Sequence, residues 1–181
     1  MKTLALDRAP SAPEVALMRR VAAGEDAAVR ELLAGHLDPL YRFARHSLGR
    51  IEGAEDVVQA TLLRAYAAAA RFDGRASLRT WLFAIAWREV GRWRRQRMWL
   101  PILADRGAPS PEIAAVDEQA WVDAALAVLT PPLRAAFALV HVEEVSVAEA
   151  ANILKVPEGT IKSRVHAAKA RLRAHLEEHD V

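Results

Sequence analysis

The spacing of apolar residues along the chain predicts an all-α protein. Apolar positions recur three and four residues apart, which places them on one face of a helix, and no segment shows a convincing alternation of the kind that marks a half-buried strand. Glycine and proline separate the periodic segments, as at Gly24, Pro39 and Gly49. The pattern predicts helices at residues 14–23, 26–36, 39–48, 53–70, 78–98, 118–128, 131–142, 146–154 and 157–176.

A break in this pattern divides the chain into two parts. Residues 99–117 (WLPILADRGAPSPEIAAVD) contain three prolines and have no clear period. We therefore expect a flexible linker there. It would join two small helical domains, at residues 1–98 and 118–181.

The second of these domains contains a predicted helix-turn-helix. Ser146 is a plausible N-cap, and Glu149 three residues later completes a capping box. Pro157 suits the first turn of the following helix, whose predicted buried stripe is Ile161, Val165, Ala168, Leu172 and Leu176. Lys162, Ser163, His166 and Lys169 fall outside that stripe, where they can donate to bases or phosphates. The alternative is a solvated amphipathic helix without a DNA-binding role.

Charge is distributed unevenly, although the formal net charge is only +2. Residues 1–98 hold 17 basic and 11 acidic side chains, residues 99–154 hold 2 and 8, and residues 155–176 hold 6 and 1. Two basic segments on either side of an acidic one suggest two contacts with a single nucleic acid.

Composition excludes several other classes of protein. The chain has no cysteine, which rules out disulfides and thiolate zinc sites. No run approaches the roughly 20 apolar residues of a membrane span, and the first residues lack the features of a signal peptide, so we expect a cytoplasmic protein. His175 and His179 are four residues apart, but no carboxylate constellation accompanies them. With no phosphate-binding or nucleophile motif either, we expect no enzyme, no catalytic residue, no metal and no cofactor.

The helix predicted at 53–70 has a mixed surface opposite its core stripe. A carboxylate, an amide and an apolar side chain share this face, which suits docking to another protein. The equally plausible alternative to a docking face is an isolated exposed leucine without a function, which is common on protein surfaces. The residues of this face are Asp56, Gln59, Ala60 and Leu63.

The helix predicted at 78–98 combines aromatic and cationic side chains, which can stack bases and hold phosphates. The loop before it is well placed to hold an unstacked base. Simple core packing is the alternative for the tryptophans, and we favour it for Trp93 and expect Trp81 to be partly buried. Glu89 lies within the apolar stripe, so if it is buried it needs an arginine partner. The candidate DNA-binding residues are Phe72, Gly74, Arg75 and Ser77 in the loop and Trp81, Arg88, Arg92, Arg95 and Trp99 in the helix.

Four segments, in order and spacing, resemble the extracytoplasmic-function branch of the sigma-70 family of bacterial RNA polymerase initiation factors. They are AEDVVQATLLRAY (54–66), FDGRASLRTWLFAIAWREVGRWRR (72–95), LTPPLRAAFALVHVEEVSVAEAANILKVPEGTIKSRVHAAKARLRAHL (129–176) and, more loosely, LYRFAR near residue 40. The resemblance covers nearly the whole chain.

This resemblance implies that the first domain binds core RNA polymerase and melts the promoter −10 region, while the second recognises the −35 duplex. It places Asp56, Gln59, Ala60 and Leu63 in the polymerase contact; Phe72, Arg75, Ser77, Trp81, Arg88, Arg92 and Arg95 at the −10 strand; and Arg134, Thr160, Lys162, Ser163, His166 and Lys169 at the −35 element. The acidic linker would thread towards the polymerase active site, and an anti-sigma factor would sequester the chain.

The chain departs from the family pattern at three positions. Ala60 stands where glutamate is common, Arg88 where asparagine is frequent, and Ala167 where arginine is common in the recognition helix. Another functional class remains compatible with the helix-turn-helix, namely a dimeric transcription regulator that acts without polymerase. Both a compact and an extended free chain fit the sequence.

Overall fold

The computed structural model describes residues 11–49, 51–99, 122 and 125–179, and all regular secondary structure in these residues is helical. The all-α prediction is confirmed. The helices are α1 (Ala12–Ala22), α2 (Asp26–Leu48), α3 (Ala54–Ala67), α4 (Leu78–Trp99), α5 (Pro131–Phe137), α6 (Val147–Leu154) and α7 (Glu158–His179), with a 3₁₀ turn at Ala69–Arg71 and a π-helical turn at Ala138–Val142. We call α1–α4 the first unit and α5–α7 the second unit.

The predicted linker lies outside the described residues except for Trp99, which ends α4. The same holds for most of the helix predicted at 118–128, of which residues 122 and 125–127 are described and helical. The flexibility of the linker and the domain boundaries therefore stay predictions. None of the helices in the described part of the chain is long and apolar enough to cross a membrane.

Helix α2 is one continuous helix, whereas the sequence predicted two helices separated at Asp38-Pro39. Pro39 lies inside it and interrupts one backbone hydrogen bond without ending the helix. Buried residues occur on both sides of the proline, including Leu32 before it and Leu40 and Phe43 after it. Packing of both halves against the same core thus outweighs the local preference of proline for a helix start.

Two other predicted helices are shorter than expected. Helix α3 ends at Ala67, and the chain then forms the 3₁₀ turn. Helix α5 gives way after Phe137 to the π-helical turn. Before α3, Gly53 has a φ of +87°, and a Cβ there would lie 2.1 Å from Cε2 of Trp93. Glycine therefore allows the start of α3 to approach α4 closely.

The helix-turn-helix forms as predicted. The Ser146 hydroxyl accepts a hydrogen bond from the Glu149 N–H at 3.2 Å, and the Glu149 carboxylate accepts one from the Ser146 N–H at 3.3 Å, which is a capping box. Lys155 ends α6 in the left-handed conformation. In α7, Ile161 and Ala168 are fully buried, but Leu176 is 38% exposed, so the predicted buried stripe fades towards its end.

The two units pack against each other. One cluster of buried side chains runs from Met18 in α1 through Phe43 and Phe83 in the first unit to Leu139 and Ile161 in the second. Within it the rings of Phe43 and Phe83 lie 5.1 Å apart. Helix α6 packs on α4, and α5 packs on α2. The described chain is therefore compact, with both sets of helices sharing a core.

Candidate protein and nucleic-acid interfaces

The predicted docking face of α3 lies on the surface of the first unit. Asp56 and Gln59 are exposed, Ala60 is partly exposed, and Leu63 is 65% exposed. The opposite face, with Val57 and Val58, is buried. The structure thus brings all four predicted residues together on one accessible helix face.

Tyr66 extends this face and was missed in the sequence. It follows Leu63 by three residues, so the two side chains are neighbours on the helix, and Tyr66 is 50% exposed. The sequence signal was the Leu63–Tyr66 spacing itself, which continues the face by almost one turn. Together the two side chains form an exposed apolar surface beside Asp56 and Gln59.

A cleft with a volume of about 670 Å³ lies between α3 and α4. It is lined by residues of the predicted docking face of α3 and by residues of the cationic face of α4. The lining residues that matter here are Asp56, Ala60, Arg64, Glu89, Arg92 and Trp93. The predicted docking face and the cationic face of α4 are therefore contiguous.

Glu89 is buried and, as expected for a buried carboxylate, it is paired with arginine. It is 5% exposed, and its Oε1 lies 2.6 Å from Nε of Arg64 and 3.2 Å from Nη1 of Arg92. Arg92 is thus held on the side of α4 by a buried carboxylate. This pairing fixes the direction of one of the predicted DNA-binding cations.

The cationic side of α4 is accessible. Arg88, Arg92 and Arg95 are all exposed, and Trp81 is partly buried, as expected. Trp93 is also partly buried and packs against the core, with the Arg97 guanidinium 5.0 Å from its ring centre. The exposed arginines leave a positively charged helix face on which a nucleic-acid backbone could lie.

The loop before α4 differs in part from the expectation. Phe72 is only 6% exposed, and its ring lies 5.3 Å from that of Trp81, so it serves the core and supports Trp81 instead of presenting a free stacking surface. Contact between the aromatic rings of Phe72 and Trp81 favours the buried position of Phe72. Arg75 is exposed and pairs with Asp73 at 3.2 Å. Ser77 accepts a hydrogen bond from the Thr80 N–H at 3.1 Å.

Helix α7, the predicted recognition helix, presents its predicted residues to the surface. Lys162, Ser163, His166 and Lys169 are all exposed. Thr160 is partly buried, and its carbonyl accepts a hydrogen bond from the Ser163 hydroxyl at 3.1 Å. These five residues lie on adjoining turns of α7, as a major-groove contact requires.

Arg134 is placed differently from its predicted position beside DNA. It is 7% exposed, and Nη2 donates to the Leu129 carbonyl at 2.7 Å. Its guanidinium also packs against Gly49 at the end of α2, where a Cβ would lie 1.4 Å from Nη1. In this conformation Arg134 contacts the first unit, because the glycine leaves space for the guanidinium at a helix end.

A set of salt bridges between the units was not predicted from the sequence. Glu143 follows the π-helical turn and has a fully buried side chain. Its carboxylate accepts hydrogen bonds from Arg42 at 3.1 and 3.2 Å and from Arg79 at 3.0 Å. The partners are 101 and 64 residues away in the chain, so no local pattern could reveal them. Within the described residues, no three histidine or acidic side chains come together as a metal site requires.

Comparison with known proteins places these surfaces in a family. Residues 32–100 match sigma-70 region 2, and residues 119–172 match sigma-70 region 4. The ECF RNA polymerase sigma factor SigL of Mycobacterium tuberculosis (strain H37Rv) is 34% identical over 166 residues, covering 87% of this chain and 93% of SigL. SigW of Bacillus subtilis, also an ECF sigma factor, is 26% identical over 176 residues, covering 88% and 94%.

Two solved structures share the fold. CnrH in complex with the cytosolic domain of CnrY has a TM-score of 0.70 and 28% identity, covering 91% of this chain and 97% of CnrH. The sigma factor RpoE in complex with the anti-sigma factor NepR from Bartonella quintana has a TM-score of 0.69 and 31% identity, covering 82% and 96%. Both similarities extend across the first and second units.

Proposed function

Because the chain belongs to the ECF RNA polymerase sigma factor family, we propose that it directs core RNA polymerase to a specific set of promoters as an alternative sigma factor. One observation carries this proposal: matches to regions 2 and 4 occur in order, and each region has an exposed cationic helix face. In this role the protein is an initiation factor and the polymerase performs catalysis. We expect it to act in the cytoplasm, where the polymerase transcribes.

The proposed polymerase contact is the exposed face of α3. Leu63 would bury its apolar side chain against the polymerase, while Asp56 and Gln59 would fix the orientation through polar contacts. The small Ala60 leaves room for the partner between them. The exposure of all these positions in the compact chain supports this proposal.

The proposed −10 contact is the cationic face of α4 with the preceding loop. Arg88, Arg92 and Arg95 would hold the phosphates of the melted strand, and Arg75 would reach it from the loop. Trp81 and Ser77 would contact the strand where α4 begins. Phe72 would act by supporting Trp81, in keeping with its buried position.

The proposed −35 contact is the exposed face of α7. Lys162, Ser163 and His166 would approach base edges in the major groove, with Thr160 and Lys169 at its margins. Arg134 would bind the DNA backbone only after leaving its position beside Gly49. The exposure of the α7 residues and the intact helix-turn-helix geometry support this assignment.

An anti-sigma factor is the proposed regulator. Both structural neighbours reported above are complexes, one with the cytosolic domain of CnrY and one with the anti-sigma factor NepR. By similarity, we expect a partner of this kind to cover the Asp56–Leu63 face, the recognition helix, or both. Exposed Leu63 and Tyr66 offer an apolar surface for such a contact.

The experiment that tests the proposed function is transcription reconstituted from the purified chain and core polymerase, with start sites mapped. Asp56→Arg should abolish transcripts because it prevents assembly with the polymerase. Glu55→Arg is the matched control, since Glu55 is exposed on another side of the same helix turn. Equal polymerase affinity for the Asp56 variant and the wild type would refute the assignment of the α3 face.

A second arm of this experiment tests the −35 contact. Lys162→Ala should weaken binding of the assembled complex to the −35 duplex by about 1–3 kcal/mol while leaving polymerase affinity intact. Arg173→Ala, an exposed change farther along α7, should have little effect. If the isolated chain instead forms a dimer that binds duplex DNA tightly without polymerase, the proposal gives way to the dimeric regulator.

A further inference from the structure

A polar contact between the two units centres on one carboxylate. The Glu143 side chain is fully buried, whereas Arg42 on α2 and Arg79 on α4 are each 41% exposed. Arg79 also donates to the backbone carbonyl of Glu143 at 2.6 Å. Because burying a carboxylate without a partner is strongly unfavourable, the packed arrangement of the two units requires both arginines beside Glu143. We refer to these contacts as the Glu143 salt bridges.

A second contact connects the same surfaces. The Thr80 hydroxyl donates to the Glu149 carboxylate at 3.0 Å, and Glu149 also forms the capping box of α6. Thr80 is in turn hydrogen-bonded to Ser77, which precedes α4. The proposed −10 loop and the helix-turn-helix are therefore linked through three consecutive hydrogen-bonded side chains.

The packing of the two units also makes one proposed DNA-binding side chain inaccessible. Arg134 lies against Gly49 of the first unit and is 7% exposed, so its guanidinium cannot reach a phosphate. Lys162 and Arg88, by contrast, stay exposed. The packing of the two units thus leaves the recognition helix accessible to DNA but buries Arg134, which is proposed to bind the DNA backbone beside it.

Size alone prevents this compact arrangement from occupying a promoter. By their numbering the −10 and −35 elements lie about 25 base pairs apart, which is about 85 Å of duplex at about 3.4 Å per base pair. A compact chain of this length has a radius of gyration of about 16 Å. The units must therefore separate before they can contact both elements at once.

We propose that the Glu143 salt bridges hold the free chain in a closed state that cannot bind a promoter, and that they break when the chain assembles with polymerase. This inference rests on the proposed function, because it assigns the two units to two DNA elements. It makes Glu143 a built-in inhibitory contact that acts without an anti-sigma factor. Part of the binding free energy for polymerase and promoter is then spent on opening the chain.

The separation of the units can be measured directly in the full chain. Since the protein has no cysteine, cysteines introduced at the exposed positions Ala34 in α2 and Ala170 in α7 give two unique sites for spin labels. Double electron–electron resonance should show a predominant short-distance population in the otherwise unchanged chain. Glu143→Gln, which removes the charge with little change of shape, should add a population at longer distances.

Glu144→Gln is the matched control, because Glu144 is the adjacent carboxylate and is exposed. Its distance distribution should equal that of the parent protein. Arg79→Gln should open the chain as Glu143→Gln does, which guards against an effect peculiar to one variant, and circular dichroism should show unchanged helix content in all of them. An unchanged distance distribution in both Glu143→Gln and Arg79→Gln would refute the closed state held by these contacts.

Affinity for core polymerase tests whether the closed state is inhibitory. If nine-tenths of the free chain is closed and Glu143→Gln opens it completely, the variant should bind purified core polymerase about tenfold more tightly, because the apparent dissociation constant scales inversely with the competent fraction. Partial opening should give a proportionally smaller gain. Glu144→Gln should bind as the parent does. If Glu143→Gln opens the chain but leaves its affinity for polymerase unchanged, the closed state is not inhibitory. If neither the parent nor any variant binds polymerase, the proposed function is wrong. The spin-label distances would still show whether the salt bridges hold the two units together.

Discussion

At the scale of single residues, two buried glutamates are each held by two arginines. Glu89 is paired with Arg64 and Arg92 inside the first unit, and Glu143 is paired with arginines across the two units. In each case the arginines stay partly exposed while the carboxylate is buried. The same local chemistry thus orients an arginine of the proposed −10 contact in one place and joins two sets of helices in the other.

A single histidine gives the first residue-scale prediction. His36 on α2 has its pKa lowered below the ordinary 6.5, mainly by burial and also by Arg79, with Glu14 acting in the opposite direction. The unfolded chain therefore binds a proton more readily than the folded one as the pH falls below about 6.5. By linkage, the free energy of unfolding should decrease through this range.

In His36→Gln, the free energy of unfolding should decrease less steeply as the pH is lowered. Urea unfolding at several pH values between 7.5 and 5 measures this. Some pH dependence should remain, because burial and Lys169 also lower the pKa of His141. The pH dependence of the free energy of unfolding should be weaker still in the double variant His36→Gln/His141→Gln. A slope for His36→Gln equal to that of the parent would contradict the prediction.

At the scale of elements, the helix-turn-helix shows what the sequence can specify. The capping box at Ser146, the turn at Lys155 and the exposed side of α7 follow from interactions within a few residues, and all were predicted. The continuous helix α2 was not, because its two halves are joined by packing against distant residues. The burial of Arg134 and Phe72 escaped prediction for the same reason, since each depends on a partner brought close only by the tertiary fold.

Helix α2 supplies the element-scale prediction. Pro39 costs a backbone hydrogen bond in the interior of a helix that tertiary packing nevertheless maintains. Pro39→Ala should therefore stabilise the protein, by about 1–3 kcal/mol given the helix propensities of the two residues. Urea unfolding with an unchanged m-value would measure the gain.

A neighbouring glycine serves as the comparison for this variant. A Cβ at Gly35 would meet no atom within 4 Å, so Gly35→Ala changes helix propensity alone and should stabilise by only about 0.5–1 kcal/mol. A smaller gain for Pro39→Ala than for Gly35→Ala would show that the proline ring itself contributes to packing. Both variants leave the proposed polymerase and DNA contacts untouched.

At the scale of the whole molecule, acidic side chains and apolar packing together hold two cationic regions close to each other. Two cationic regions would repel each other at short range, and the acidic residues 143 and 149 lie between them, in contact with the first unit. Apolar residues of both units then complete one buried cluster. The sequence showed the alternation of charge but not that the acidic residues would join the cationic regions in the free chain.

The shared core predicts that both units unfold together. Leu139 lies in the second unit and is fully buried in the cluster that includes Phe43 and Phe83. Leu139→Ala should therefore destabilise the protein by about 2–5 kcal/mol. Four of the five tryptophans lie in α4, so fluorescence reports chiefly on the first unit, whereas circular dichroism reports on all helices.

If the units form one cooperative structure, the unfolding midpoint of Leu139→Ala should shift equally by fluorescence and by circular dichroism, because the loss of packing in one unit is transmitted to the other. Independent units would instead give a shift by circular dichroism with an unchanged fluorescence midpoint. Combining Leu139→Ala with Glu143→Gln sharpens the comparison. Once the salt bridges are removed, the two midpoints should diverge, because the helices of the second unit can then unfold while α4 stays folded.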